Sequence, residues 1–155
     1  MSMNGRSAIL MVAMDAELAG RTAEAAKLRE KVGVLSPLEE LLGKTMGSVT
    51  QTGNDLIDFK AVTGEHWQMY YEPDCCAVCN IEDVIGDLKD LVGAPIAMAE
   101  ESTNSDSPRE TEYPDESFTW TFYKFATAKG YVTIRWYGSS NGYYSETATF
   151  RRVAP

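Results

Sequence analysis

The stretch that most constrains the fold is Ser117 to Phe150, SFTWTFYKFATAKGYVTIRWYGSSNGYYSETATF, with its continuation to Arg152. Aromatic and β-branched residues alternate with polar ones over runs far longer than a turn, which is the pattern of a half-buried strand. Lys129-Gly130 and Asn141-Gly142 interrupt the runs with glycine-containing turn signals. The segment therefore predicts three strands joined by two hairpins.

Pairing these strands outward from Ala128 and Tyr131 sets Lys124 opposite Arg135, Phe122 opposite Tyr137 and Tyr123 opposite Trp136. Closing the second turn about Ser140-Asn141 sets Arg135 opposite Glu146. One face then carries Tyr123, Phe125, Val132, Ile134 and Trp136, an apolar set that belongs to the core. The other carries Trp120, Phe122, Lys124, Arg135, Tyr137, Tyr144 and Glu146. Flat rings next to two cations suit a planar anionic ligand such as a nucleotide, because rings stack on a base and cations meet phosphate. The same residues also serve as an exposed cross-strand charge cluster, and a one-residue bulge exchanges the two faces.

Upstream, Ser36-Pro37-Leu38-Glu39 is a helix start, and Gly43 ends that short helix. Thr45–Thr52 reads as a strand turning at Gly53-Asn54. Leu56–Val62 and His66–Tyr71 form a hairpin across Thr63-Gly64-Glu65. Asn80–Leu91 carries Ile81, Val84, Leu88 and Leu91 at helical spacing behind a capping asparagine, with Gly93 and Pro95 beyond its end. It predicts the main packed helix, with Asp83, Asp87 and Asp90 on its solvated side. Ile96–Ala99 returns as a strand, and residues 100–117 are acidic and rich in serine and proline, which predicts a mobile loop.

Residues 7–31 intermingle alanine, leucine and charge, with Leu10, Met14 and Leu18 in helical register. The expected organisation is a helical extension over 1–35 and one α+β domain over 36–155. Its antiparallel sheet has about six strands, with the 80–91 helix on one face and the N-terminal helix beside it. The whole chain has 155 residues, room for one such domain.

The formal net charge is −9, which disfavours long nucleic acid and favours basic proteins as partners. No apolar run is long enough to span a bilayer. Ala8–Met14 stops at Asp15 with no small-residue cleavage site after it, unlike a secretory leader. The cysteines, Cys75, Cys76 and Cys79, are odd in number and clustered, so a reducing cytoplasm is expected.

Cys76-Ala-Val-Cys79 has the spacing of a metal knuckle or a redox pair, and His66 is the one histidine that could complete either. Adjacent cysteines make awkward ligands for one ion, so Cys76, Cys79 and His66 stand only as weak metal candidates and no cofactor is assigned. No P-loop, GxGxxG, HExxH or GxSxG motif occurs.

YYEPDCC, NIEDVIGDLKDLVGAPIAMAEE and the long SFTWTFYKFATAKGYVTIRWYGSSNGYYSE together resemble a family of small uncharacterised proteins of tailed bacteriophages and prophages. The resemblance spans Leu42 to Arg152 and leaves out the first residues. It supplies no catalytic residues and implies a phage product working in the host cytoplasm. The expected function is non-enzymatic binding, as a counter-defence protein sequestering a nucleotide-derived signal, possible as a homo-oligomer. The alternatives are an acidic inhibitor gripping a basic host protein or mimicking DNA, and a small enzyme using Cys76 or Cys79 with His66.

Overall fold

The structure, a computed structural model, describes residues 37–73 and 75–154. The helix expected over 7–31 and the extension over 1–35 lie outside the described residues. The first sheet contains β1 (Met46–Thr52), β2 (Leu56–Ala61), β3 (His66–Tyr70) and β8 (Thr149–Arg152). The second contains β4 (Ala77–Ile85), β5 (Met98–Asn104), β6 (Ser117–Thr127) and β7 (Gly130–Ser140). Both are antiparallel, in the orders β1-β2-β3-β8 and β4-β7-β6-β5.

In the first sheet β2 and β3 alternate buried and outward residues, whereas β1 buries Met46 and Val49 on either side of a register irregularity. Ile57, Phe59, Trp67, Met69 and Phe150 turn inward, and Asp58, Lys60, His66 and Gln68 turn away. The second sheet answers with Tyr123, Phe125, Val132, Ile134 and Trp136, each 2% exposed or less. The two inner faces meet directly. Phe59 lies between Phe125, with centroids 5.3 Å apart, and Phe150, at 6.0 Å. The indole N–H of Trp136 points at the Met69 sulfur, 3.3 Å away. Burial of this shared layer drives the fold.

This is a mostly β architecture, which corrects the expected α+β fold. The 80–91 segment is not a helix. Ala77–Ile85 is an edge strand pairing with β7, and a short 3₁₀ turn, Leu88–Leu91, follows. The strand bulges between Ile81 and Asp83, so two core-facing positions fall three residues apart instead of two. Leu88 follows four residues on, and Leu91 three beyond it because a 3₁₀ turn repeats every three residues. A bulged strand and a 3₁₀ turn in series thus mimic helical periodicity. Asn80 is a strand residue opposite Tyr137. Asp87 caps the 3₁₀ turn by accepting the Lys89 N–H at 2.9 Å, so Asp83, Asp87 and Asp90 share no helix face.

The segment expected as a short helix is also 3₁₀, Leu38–Leu41, with Leu38 and Leu41 in the core and no side-chain cap. The strands expected at 45–52, 56–62 and 66–71 form as β1, β2 and β3. The strand expected at 96–99 starts at Met98 and runs on to Asn104, taking the first part of the acidic 100–117 stretch into the sheet.

Candidate functional site

The outward face of the second sheet is set by the pairing of β6 with β7. Thr127 pairs with Gly130, Phe122 with Arg135 and Trp120 with Tyr137. This register lies two residues from the expected one. A two-residue slip leaves every side chain on its expected face, so Trp120, Phe122, Lys124, Arg135 and Tyr137 stand on one side of the sheet. Asp83, Arg135, Phe122 and Ser102 form one cross-strand row, and Thr133, Lys124 and Glu100 lie in the next.

Tyr144 and Glu146 are not part of this face. The strand after Asn141-Gly142 does not return along β7, whose second neighbour is β4. The chain instead crosses to the first sheet and joins it as β8. On the way it passes under the inward side of Gly138. There the Glu146 carboxylate accepts from Thr119 Oγ1 at 2.9 Å and from Ser140 Oγ at 2.5 Å, and Tyr71 donates to the Ser145 carbonyl at 3.1 Å. The expected opposition of Arg135 and Glu146 is therefore replaced by Asp83 opposite Arg135.

Residues 105–116 fold back over the outward face as a strap. Trp120 Nε1 donates to the Ser107 carbonyl at 2.8 Å. Tyr137 Oη donates to Asp115 at 2.6 Å and accepts from the Arg109 backbone N–H at 3.4 Å. The Arg109 guanidinium lies 4.8 Å from the Tyr137 ring centroid and reaches Glu82 at 3.0 Å. Phe118 stacks on the same ring at 6.0 Å, and Trp120 meets it edge-on at 4.5 Å.

Tyr137 is left 2% exposed. Burial, and then donation to Asp115, push its phenol up to about 12. Arg135 lies 5.2 Å over the Trp120 ring. Among the described residues neither Arg135 nor Lys124 has an ion pair. The half-buried Phe122 and these two cations are the part of the expected ligand face that the strap does not fasten.

The residue pattern does not announce the strap contacts of Ser107, Arg109 and Asp115. Arg109 is the sole cation between Glu100 and Ser117. A lone cation in an acidic run beside a tyrosine-rich strand is the signal that points to it.

Among the described residues, clefts also lie away from this face. One of about 370 Å³ opens beside Leu38, Glu39, Glu101, Tyr123 and Phe150; burial, and then the neighbouring Glu39 charge, raise the Glu101 carboxyl there. Another, of about 290 Å³, lies beside Ser117, Thr119, Tyr143, Tyr144 and Glu146.

The weak metal candidates are dispersed. His66 is on the outward side of the first sheet, its Nε2 2.6 Å from Asp58. Cys79 is buried inside the second sheet, and Cys76 is exposed in a turn. A thiol beside a histidine base is not assembled by these positions. Among the described residues no helix is long and apolar enough to cross a membrane.

The model of a domain of unknown function, DUF7448, matches residues 39–150. The chain belongs to this family. The match runs from the first 3₁₀ turn into β8 and so takes in both sheets and the strap. No curated protein and no solved structure matches the chain.

Proposed function

We propose that this DUF7448 protein is a phage accessory protein that acts in the host cytoplasm without catalysis, by binding a basic host protein. The contact surface is the outward face of the second sheet with its strap. The observation that carries this reading is the fastening of the strap through Arg109, Ser107 and Asp115. An acidic stretch that would cost ordering entropy as a coil is already held against a sheet. Asp106, Glu110, Glu112 and Glu116 stay exposed on it, close in sequence to Glu100 of β5, also exposed and on the outward side beside Lys124. A carboxylate-rich surface of fixed shape steers and orients a cationic partner.

The test is capture from host lysate on immobilised protein. A specific basic protein is retained at low salt, released as ionic strength rises, and lost with Glu110→Lys/Glu112→Lys. Retention that ignores both salt and charge reversal would refute the reading.

A second reading keeps a small nucleotide-like ligand at Phe122, Lys124 and Arg135. It is favoured by the two cations having no ion pair among the described residues. It predicts a rise in melting temperature with cyclic nucleotides or ADP-ribose derivatives that Lys124→Ala/Arg135→Ala abolishes.

A further inference from the structure

The link between β3 and β4 carries the chain from one sheet to the other and sets two cysteines side by side in a turn. Along an extended strand adjacent side chains point to opposite sides. At Cys75 and Cys76 the backbone turns instead, and the two Sγ atoms come within 2.7 Å. Both residues are exposed. Tyr144 approaches from the segment between β7 and β8, with its Oη 3.5 Å from the Cys75 sulfur. Cys79 is close in sequence but lies inside the sandwich, its Sγ 3.6 Å from the Glu146 carbonyl oxygen. The three cysteines thus divide into an exposed pair and a shielded single thiol.

We propose that Cys75 and Cys76 form a modification site, a dithiol oxidised to a vicinal disulfide by exchange with a low-molecular-weight disulfide of the glutathione class. The Cys75 thiolate attacks one sulfur of the oxidant. A small thiolate leaves, and a mixed disulfide remains on Cys75. The Cys76 thiolate then attacks the Cys75 sulfur, the bond between the two protein sulfurs forms, and the second small thiolate leaves. Two electrons pass from the cysteine pair to the oxidant, and the two cysteine protons end on the released thiols.

Two features of the geometry favour this course. A disulfide needs its sulfurs about 2.05 Å apart, and the turn already sets both sulfurs on one side of the chain, 2.7 Å apart, so the second step meets its target without a search, and the strain of the small ring it closes keeps the bridge readily reducible. The first step gains from Tyr144, whose hydroxyl accepts from a Cys75 thiol but donates to a Cys75 thiolate, stabilising the attacking anion. Oxidation also removes the S–H that Cys75 offers to Tyr144, so the state of the pair reaches the cleft that Tyr144 helps to line.

The experiment uses the full chain incubated with oxidised glutathione at neutral pH, quenched with iodoacetamide and read by intact mass and peptide mapping. The wild type is expected to lose two hydrogens, with the bridge inside the peptide that holds Cys75 and Cys76. Cys79 is alkylated only after unfolding. Cys76→Ser is expected to stall with one glutathione on Cys75. Tyr144→Phe is expected to reach the same end product several-fold more slowly, and an unchanged rate removes Tyr144 from the proposal. Wild-type protein that keeps glutathione without an internal bridge, bridges through Cys79, or does not react overturns the site.

Discussion

The guanidinium of Arg109 lies 4.8 Å from the ring centroid of Tyr137, on the outward side of the second sheet. The same side chain reaches Glu82 on β4 at 3.0 Å, so one residue ties the strap to two strands.

Arg109→Ala is therefore expected to release the strap while leaving the sandwich folded. The side chain is 38% exposed, so solvent screens its ion pair and the loss is modest, about 1 kcal/mol with the cation–π contact included. The measurement is limited proteolysis together with tryptophan emission. Cleavage should become faster within 105–116, and emission should shift to the red as Trp120 loses its cover. Protease resistance equal to the wild type would show that Arg109 does not fasten the strap.

Much of this arrangement is legible in the residues alone, and the exceptions have physical causes. The first three strands are local, with glycine turns between them and period-two burial in β2 and β3, and they form where the pattern sets them. The inward and outward sets of β6 and β7 are also readable, because strand parity survives the two-residue difference in register. The 80–91 segment misleads because a bulge at Ile81 to Asp83 and a 3₁₀ turn after it both space apolar residues by three. Tyr144 and Glu146 are misplaced because hairpin logic assumes that a strand after a tight turn pairs with its predecessor. Here β4 takes that edge of β7 and the chain leaves for the other sheet, a long-range competition that no local signal announces. Within the candidate site, five of the seven expected residues share a face, and the strap over two of them, Trp120 and Tyr137, is hinted at only by Arg109.

Phe59 is one of the aromatics that join the two sheets, fully buried against Phe125 and Phe150. Phe59→Ala removes contacts on both sides and leaves a void that facing strands cannot close without losing register. The expected cost is ~3–5 kcal/mol, as for other large-to-small changes at buried aromatics. Urea unfolding followed by circular dichroism measures it as a lower midpoint. A shift worth under about 1 kcal/mol would mean that the sheets do not depend on this contact.

Stability should also fall in alkali, with a direction set by buried protonated groups. Burial, then the Asp115 hydrogen bond, raise Tyr137 from 10.0 to about 12. Burial, then the Glu146 charge, raise Cys79 from 9.0 to about 12. Each group holds its proton more tightly in the folded chain than in the unfolded one. Their contribution is complete below the unfolded values and is lost as pH rises through the folded ones. Melting temperature is therefore expected to be level to about pH 9 and to decline toward pH 12. Tyr137→Phe should start lower, having lost its bond to Asp115, and decline less steeply. Parallel curves for the two proteins would remove Tyr137 from the alkaline transition.

Gly138 is where the chain on its way to β8 presses closest to the second sheet. A Cβ on this residue would stand 1.9 Å from the Glu146 carbonyl oxygen and 2.7 Å from the Glu146 Cα. Both are backbone atoms, which cannot rotate away as a side chain can. The same carbonyl lies over the Cys79 sulfur, and the Glu146 carboxylate is held by Thr119 and Ser140. Gly138→Ala must therefore push the 145–148 segment outward as a unit. The expected destabilisation is at or above the upper end of the ~1–3 kcal/mol typical of overpacked sites. A second consequence separates this mechanism from general loosening. Once the carbonyl of Glu146 withdraws, Cys79 gains access to solvent, so iodoacetamide should label it in the native variant and not in the native wild type. A variant that is less stable yet keeps Cys79 protected would place the strain elsewhere in the sheet.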